Sequence, residues 1–188
     1  GRLGAMISVD GDTSTNDSNF LLANGASGIA CTSAEDTLIL QEAVTGVCQF
    51  LARAIARDGE GATKLLEVTI NNAPTLELAR RAARGITVSP LFKSAVHGED
   101  PNWGRVLARL GAEEVPSELL DTMDLKIQGM PVFMSGAPVG IDRDAVRKLL
   151  KADTVYINID LKGGQATATA WGCDLSKKYV DINAEYPT

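Results

Sequence analysis

The longest periodic signal in the chain is the stretch TSAEDTLILQEAVTGVCQFLARAIARDGEG. In it Leu40, Ala43, Val44, Val47, Phe50, Leu51, Ala54 and Ile55 recur at the spacing of one helix face, which predicts an α-helix with that stripe turned to a core. Ser33 followed by Asp36 has the form of a capping box with Asp in place of the usual Glu. Arg53 and Arg57 lie where the helix dipole favours cations, and Gly59 supplies a stop. A second period, of two residues, marks strands. Leu66, Val68 and Ile70 alternate in LLEVTINNA, as do Val155, Ile157, Ile159 and Leu161 in DTVYINIDL.

Weaker patterns fill the gaps. AMISV reads as a strand ending at Asp10-Gly11, and SNFLLANG as another, closed by Asn24-Gly25. PTLELARRAARGI predicts a helix with Pro74 at its first position and Gly85 at its close, and a further helix runs through WGRVLARLG. MDLKIQGMPVFMSGAP suggests a strand pair broken by Gly129 and Pro131, and DRDAVRKLLKA a short amphipathic helix. After the turn Lys162-Gly163-Gly164, QATATAWGCDL is expected to return as the hairpin partner of DTVYINIDL. No repeat, low-complexity tract or linker interrupts residues 1–188, so the expectation is an α+β unit, or two lobes sharing one core, with helices packed on sheets that contain antiparallel pairs.

Composition narrows the class. At 45% apolar and 22% charged residues, 188 residues form the profile of a soluble globular protein able to bury a core without staples. A net charge of −6, with ARRAAR as the densest basic cluster, argues against nucleic acid. Cys31, Cys48 and Cys173 are odd in number and widely spaced, which fits neither a disulfide framework nor a zinc ribbon and points to a reducing interior. No run is read as long enough to span a membrane, and no charged-then-apolar leader is seen, so no membrane partner is expected.

Four polar stretches offer chemistry. In SVDGDTSTNDS, Asp10, Asp12 and Ser14 fall on alternate positions, as calcium ligands do. However, Thr15 and Leu21 stand where an EF-hand needs Gly and a bidentate Glu. A hydroxyl nucleophile among Thr13, Ser14 and Thr15 lacks any supporting motif, and short polar side chains bonding a tight turn explain the stretch better. DGEGATK lacks the spacer of a phosphate-binding loop. Its Glu60, between two glycines, is either solvated at a helix-ending turn or a carboxylate facing a ligand amine. In HGEDPNWGR, Asp100-Pro101 opens a turn and Trp103 is expected to pack. His97, the single histidine, has no partner in view as a base. Cys173 reads as a buried small apolar residue, and the polar tail carries Tyr179, Val180, Ile182 and Tyr186 as anchors.

Taken in order, SVDGDTSTNDS, GEGATK, GEDPNWGRVLA and GCDLSKKYVDINAEYPT make the chain resemble the ornithine acetyltransferase family of arginine biosynthesis, the bifunctional glutamate N-acetyltransferases. The resemblance covers nearly the whole chain and is to most of the β chain of a self-cleaving precursor. It implies an α+β, layered α/β/β/α-like fold shared with the self-cleaving aminopeptidases. It also implies ping-pong transfer of an acetyl group from N2-acetylornithine to glutamate, with acetyl-CoA as a donor in some members and no cofactor. Glu60, Asn183 and Thr188 match family substrate contacts. The family nucleophile is an N-terminal threonine in an Ala-Thr-Met-Leu-like context. GRLGAMISVDG aligns inside the β chain, so that threonine is expected upstream of Gly1, with no catalytic residue in this chain. The implied partner is the α chain of the same precursor, in a heterotetramer of two α and two β chains. The implied location is the cytoplasm, or the mitochondrial matrix in a eukaryote. The alternatives are a paralogue acetyltransferase of antibiotic clusters, a self-cleaving aminopeptidase on the same scaffold, and a binding module without turnover.

Overall fold

The structure is a computed structural model that describes residues 6–14 and 18–185. Its centre is one mixed seven-stranded sheet. In chain order the strands are β1 (Ile7–Ser8), β2 (Leu65–Ala73), β3 (Asp124–Ile127), β4 (Met130–Met134), β5 (Ala137–Pro138), β6 (Thr154–Asp160) and β7 (Ala166–Cys173). Across the sheet they run β1-β7-β2-β6-β3-β4-β5. The helices are α1 (Ala34–Arg57), α2 (Leu76–Val88), α3 (Pro90–His97), α4 (Trp103–Ala112), α5 (Ser117–Leu120), α6 (Arg143–Leu149) and α7 (Lys177–Glu185). The expected α+β class is what is found.

Strand alternation decides which sheet face is covered. Leu66, Val68 and Ile70 of β2, Val155, Ile157 and Ile159 of β6, and Leu125 and Ile127 of β3 are fully buried. Over this face α2 packs across β7 and β2, using Ala79, Ala82, Ala83 and Ile86. Small side chains let that helix approach closely, and Phe92, Val106 and Leu110 extend the same core from α3 and α4. The opposite face is more polar. There Thr69 Oγ1 and Thr169 Oγ1 lie 3.0 Å apart. Glu67 accepts from Arg53 of α1 at 3.0 Å and from Trp171 Nε1 at 2.9 Å.

Several expectations are corrected. SNFLLANG forms no strand; residues 18–25 are exposed irregular chain, since nothing among the described residues pairs with it. Asn24-Gly25 does open a turn, with Gly28 N donating to Gly25 O at 3.0 Å. β7 is not the hairpin partner of β6. It pairs antiparallel with β2, while β6 pairs parallel with β2 on the other side. The connection must therefore step over the end of β2. At Gly164 a Cβ would lie 2.4 Å from Ala73 O, and at Gly163 2.6 Å from Leu119 Cδ2, so two glycines make the step possible. Pro74 sits before the N-cap Thr75, whose side chain accepts from Leu78 N, and α2 continues through Gly85 to Val88. The segment before WGRVLARLG holds a helix of its own, α3, with Ser89 as N-cap and Pro90 at its first turn.

The first helix keeps its expected bounds and its capping box, in which Ser33 and Asp36 bond reciprocally. Its stripe is not covered. Only Ala52 and Ala56 are buried, while Phe50 is 72% and Val47 59% exposed, because among the described residues nothing packs on that side. Contrary to the reading of the sequence, α1 is long and apolar enough by length and composition alone to cross a membrane. A helix whose apolar side is covered by protein passes the same test.

Candidate active site

The site is built where α1 ends. Asp58 caps the helix by donating its N–H to Ala54 O at 3.0 Å, and Ala62 N closes a turn onto Gly59 O at 2.9 Å. The glycines on either side of Glu60 are both demanded by packing. At Gly59 a Cβ would stand 2.9 Å from Cys173 Sγ, and at Gly61, where φ is +66°, 2.6 Å from Tyr179 N. The loop is thus wedged between the end of β7 and the start of α7, and Glu60 is held out on the exposed side.

Of the three expected substrate contacts, two are brought together. Asn183, on α7, donates through Nδ2 to Glu60 Oε2 at 2.7 Å and to Tyr179 O at 3.0 Å. This places them 123 residues apart in sequence and adjacent in space. The third, Thr188, lies outside the described residues, as do Tyr186 and Thr15. Of the tail's anchoring residues, Tyr179, Val180 and Ile182 lie on α7. Tyr179 and Ile182 are half-buried and Val180 is exposed.

Glu60 opens onto a cleft of about 730 Å³ whose lining includes Ser8, Asp10, Asp12, Ser14 and Asp58. The polar loop therefore borders the site. Asp10 Oδ1 accepts from Asp12 N at 2.9 Å, the side-chain-to-backbone bond expected of a tight turn. Among the described residues no group of three or more His, Cys, Asp and Glu is arranged to hold a metal ion. Burial, followed by the carboxylates of Asp10, Glu60 and Asp12, raises the Tyr179 phenol above its ordinary pKa. The cleft is lined by the acidic residues Asp10, Asp12, Asp58 and Glu60. A cleft of that polarity suits a ligand with an ammonium group.

Behind the loop lies a network that local sequence motifs did not flag. Asp174, fully buried, accepts from Thr63 N at 2.7 Å, Thr63 Oγ1 at 2.6 Å, Lys64 N at 2.9 Å and His97 Nδ1 at 2.7 Å. Burial pushes its carboxyl up, but these four bonds together hold it below the usual carboxylate range. Ser176 Oγ donates to Gly61 O at 2.6 Å and accepts from Tyr179 N at 3.2 Å, joining the loop to α7. Lys93, 2% exposed, donates to Val9 O, and burial holds its ammonium below its ordinary pKa. Burial raises the Cys173 thiol, as befits the inert small residue expected there.

The model of the ArgJ family matches residues 5–188. The arginine biosynthesis bifunctional protein ArgJ of Dehalococcoides mccartyi is 49% identical over 185 residues, covering 97% of this chain and 45% of that protein. The glutamate N-acetyltransferase of Methanopyrus kandleri is 48% identical over 188 residues, covering 97% of this chain and 48% of its own length. The chain thus spans about half the length of the curated relatives it matches. A crystal structure of the arginine biosynthesis bifunctional protein ArgJ from Bacillus halodurans superposes with a TM-score of 0.90 at 40% identity, covering 96% of this chain and 86% of that one. By family model, by relatives near half identical and by structure, the chain belongs to the ArgJ family.

Proposed function

We propose that this chain is one part of an acetyltransferase that moves an acetyl group from N2-acetylornithine to glutamate, and that it supplies the amino-acid contacts rather than the nucleophile. The observation that carries this reading is the 2.7 Å bond from Asn183 to Glu60 at the edge of the acidic cleft. A carboxylate there holds a substrate ammonium, and an amide offers both a donor and an acceptor to the substrate's carboxylate or acyl group. Thr188 adds a hydroxyl from the same tail.

The chemistry is a two-step exchange. An N-terminal threonine, outside this chain and freed by autocatalytic cleavage, attacks the acetyl carbonyl, with its own α-amine as base. Ornithine leaves with the proton, and the acetyl ester is then attacked by the amine of glutamate, which restores the hydroxyl. Donors that stabilise the tetrahedral oxyanion come from the α chain. The working assembly is a heterotetramer of two α and two β chains, in the cytoplasm or the mitochondrial matrix, with no cofactor; acetyl-CoA serves as a donor in some members of the family.

The test is an assay of the complete protein. Acetyl transfer from N2-acetylornithine to glutamate supports the reading. Amide hydrolysis without transfer, or ornithine binding without turnover, overturns it. Glu60→Gln is expected to raise the KM for acetylornithine about tenfold or more, because a charge-assisted bond to the ammonium is lost. The chain by itself is expected to form no stable acetyl adduct, as read by intact-mass spectrometry.

A further inference from the structure

We infer that Asp174 is a positioning residue for the substrate site, acting through the loop that carries Glu60, with Thr63, His97 and Ser176 as its means. The inference rests on the reading of Glu60 as a substrate contact.

Packing of Gly59 and Gly61 fixes the path of the loop, and side-chain hydrogen bonds from one short segment tie down its far end. Glu60 itself is exposed, and its side chain accepts a bond from Asn183. The loop's C-terminal end is pinned by Asp174, which takes both backbone N–H groups of Thr63 and Lys64 on Oδ1. Its Oδ2 takes the Thr63 hydroxyl and the His97 ring. Ser176, two residues on, holds the Gly61 carbonyl from the other side while capping α7, the helix that presents Asn183. One segment, residues 174–176, therefore fixes both members of the Glu60–Asn183 pair. The carboxylate is anchored at the strand end by the return bond Asp174 N to Lys64 O, 3.2 Å. A rigid element that sets the place of a binding group affects how tightly substrate is held before any bond changes. The signature is then a change in KM with kcat nearly preserved.

The experiment uses the complete protein that carries this chain. Asp174→Asn keeps the shape but replaces two acceptor sites with donors facing Thr63 Oγ1 and His97 Nδ1. It is expected to raise the KM for acetylornithine about tenfold with kcat within about twofold. Thr63→Val and His97→Phe each remove one bond and are expected to raise it about threefold. In a Glu60→Gln background, Asp174→Asn is expected to add less than about twofold, since both changes act on one contact. Full addition of the two effects, or an unchanged KM in Asp174→Asn while Glu60→Gln is impaired, overturns the positioning role and leaves the proposed function standing. An unchanged KM in Glu60→Gln overturns the substrate role of Glu60 and this inference with it. If Asp174→Asn does not fold, Thr63→Val and His97→Phe decide by the same comparison.

Discussion

Four donors converge on the Asp174 carboxylate, and this ties its protonation to folding. Its pKa is held down in the folded protein, so its contribution is complete above the unfolded value, about 3.9, and is lost as pH falls through the lower folded value. Asp174→Asn is expected to destabilise the complete protein by about 3 kcal/mol at neutral pH, a size set by lost charge-assisted bonds in a buried site. The gap from the unaltered protein should close as pH is lowered past about 4, in denaturant midpoints measured along a pH series. A gap that stays constant with pH would count against the carboxylate as its source. At this scale the sequence was legible in part. Glu60 and Asn183 stood out through the order of the motifs around them. Asp174 did not, because its partners lie 77 and 111 residues away and no local spacing betrays them.

Elements were legible where their signal was local. Ser33 and Asp36 announced the start of α1, and the Gln128-Gly129 turn, with both residues at positive φ, closes the β3–β4 hairpin as a tight two-residue loop. Ser33→Ala is expected to cost about 1 kcal/mol, seen as faster amide exchange in the first turn of α1. Alternation identified β7 as a strand but could not name its neighbour, because pairing with β2 depends on a step over Pro74 that alternation does not encode. The step makes its own prediction. Gly164→Ala, which sets a methyl against Ala73 O, is expected to lower stability by about 2 kcal/mol or more in thermal unfolding. The stripe on α1 was read with the right period and the wrong neighbour, since helical periodicity reports an apolar face and not what covers it.

For the whole molecule, the stripe through Val47, Phe50, Leu51 and Ile55 stands exposed on one helix, and contiguous apolar surface of that kind marks an interaction face. The chain expressed alone is expected to self-associate. Val47→Asp with Phe50→Asp should shift it toward monomer in sedimentation, while weakening its assembly with the remainder of the protein. A chain that is monomeric without these changes would contradict this. The same scale holds a consequence of the place of β2 in the sheet. Its two neighbours, β6 and β7, are both made long after it, with Thr69 meeting Thr169 at a separation of 100 positions. A chain emerging from the ribosome therefore carries β2 with both edges bare until β6 and β7 have been synthesised. Closure of such distant pairs is slow, and bare strand edges invite pairing with other nascent copies. For this protein, the stage most exposed to aggregation comes before β6 and β7 are free to fold back onto β2.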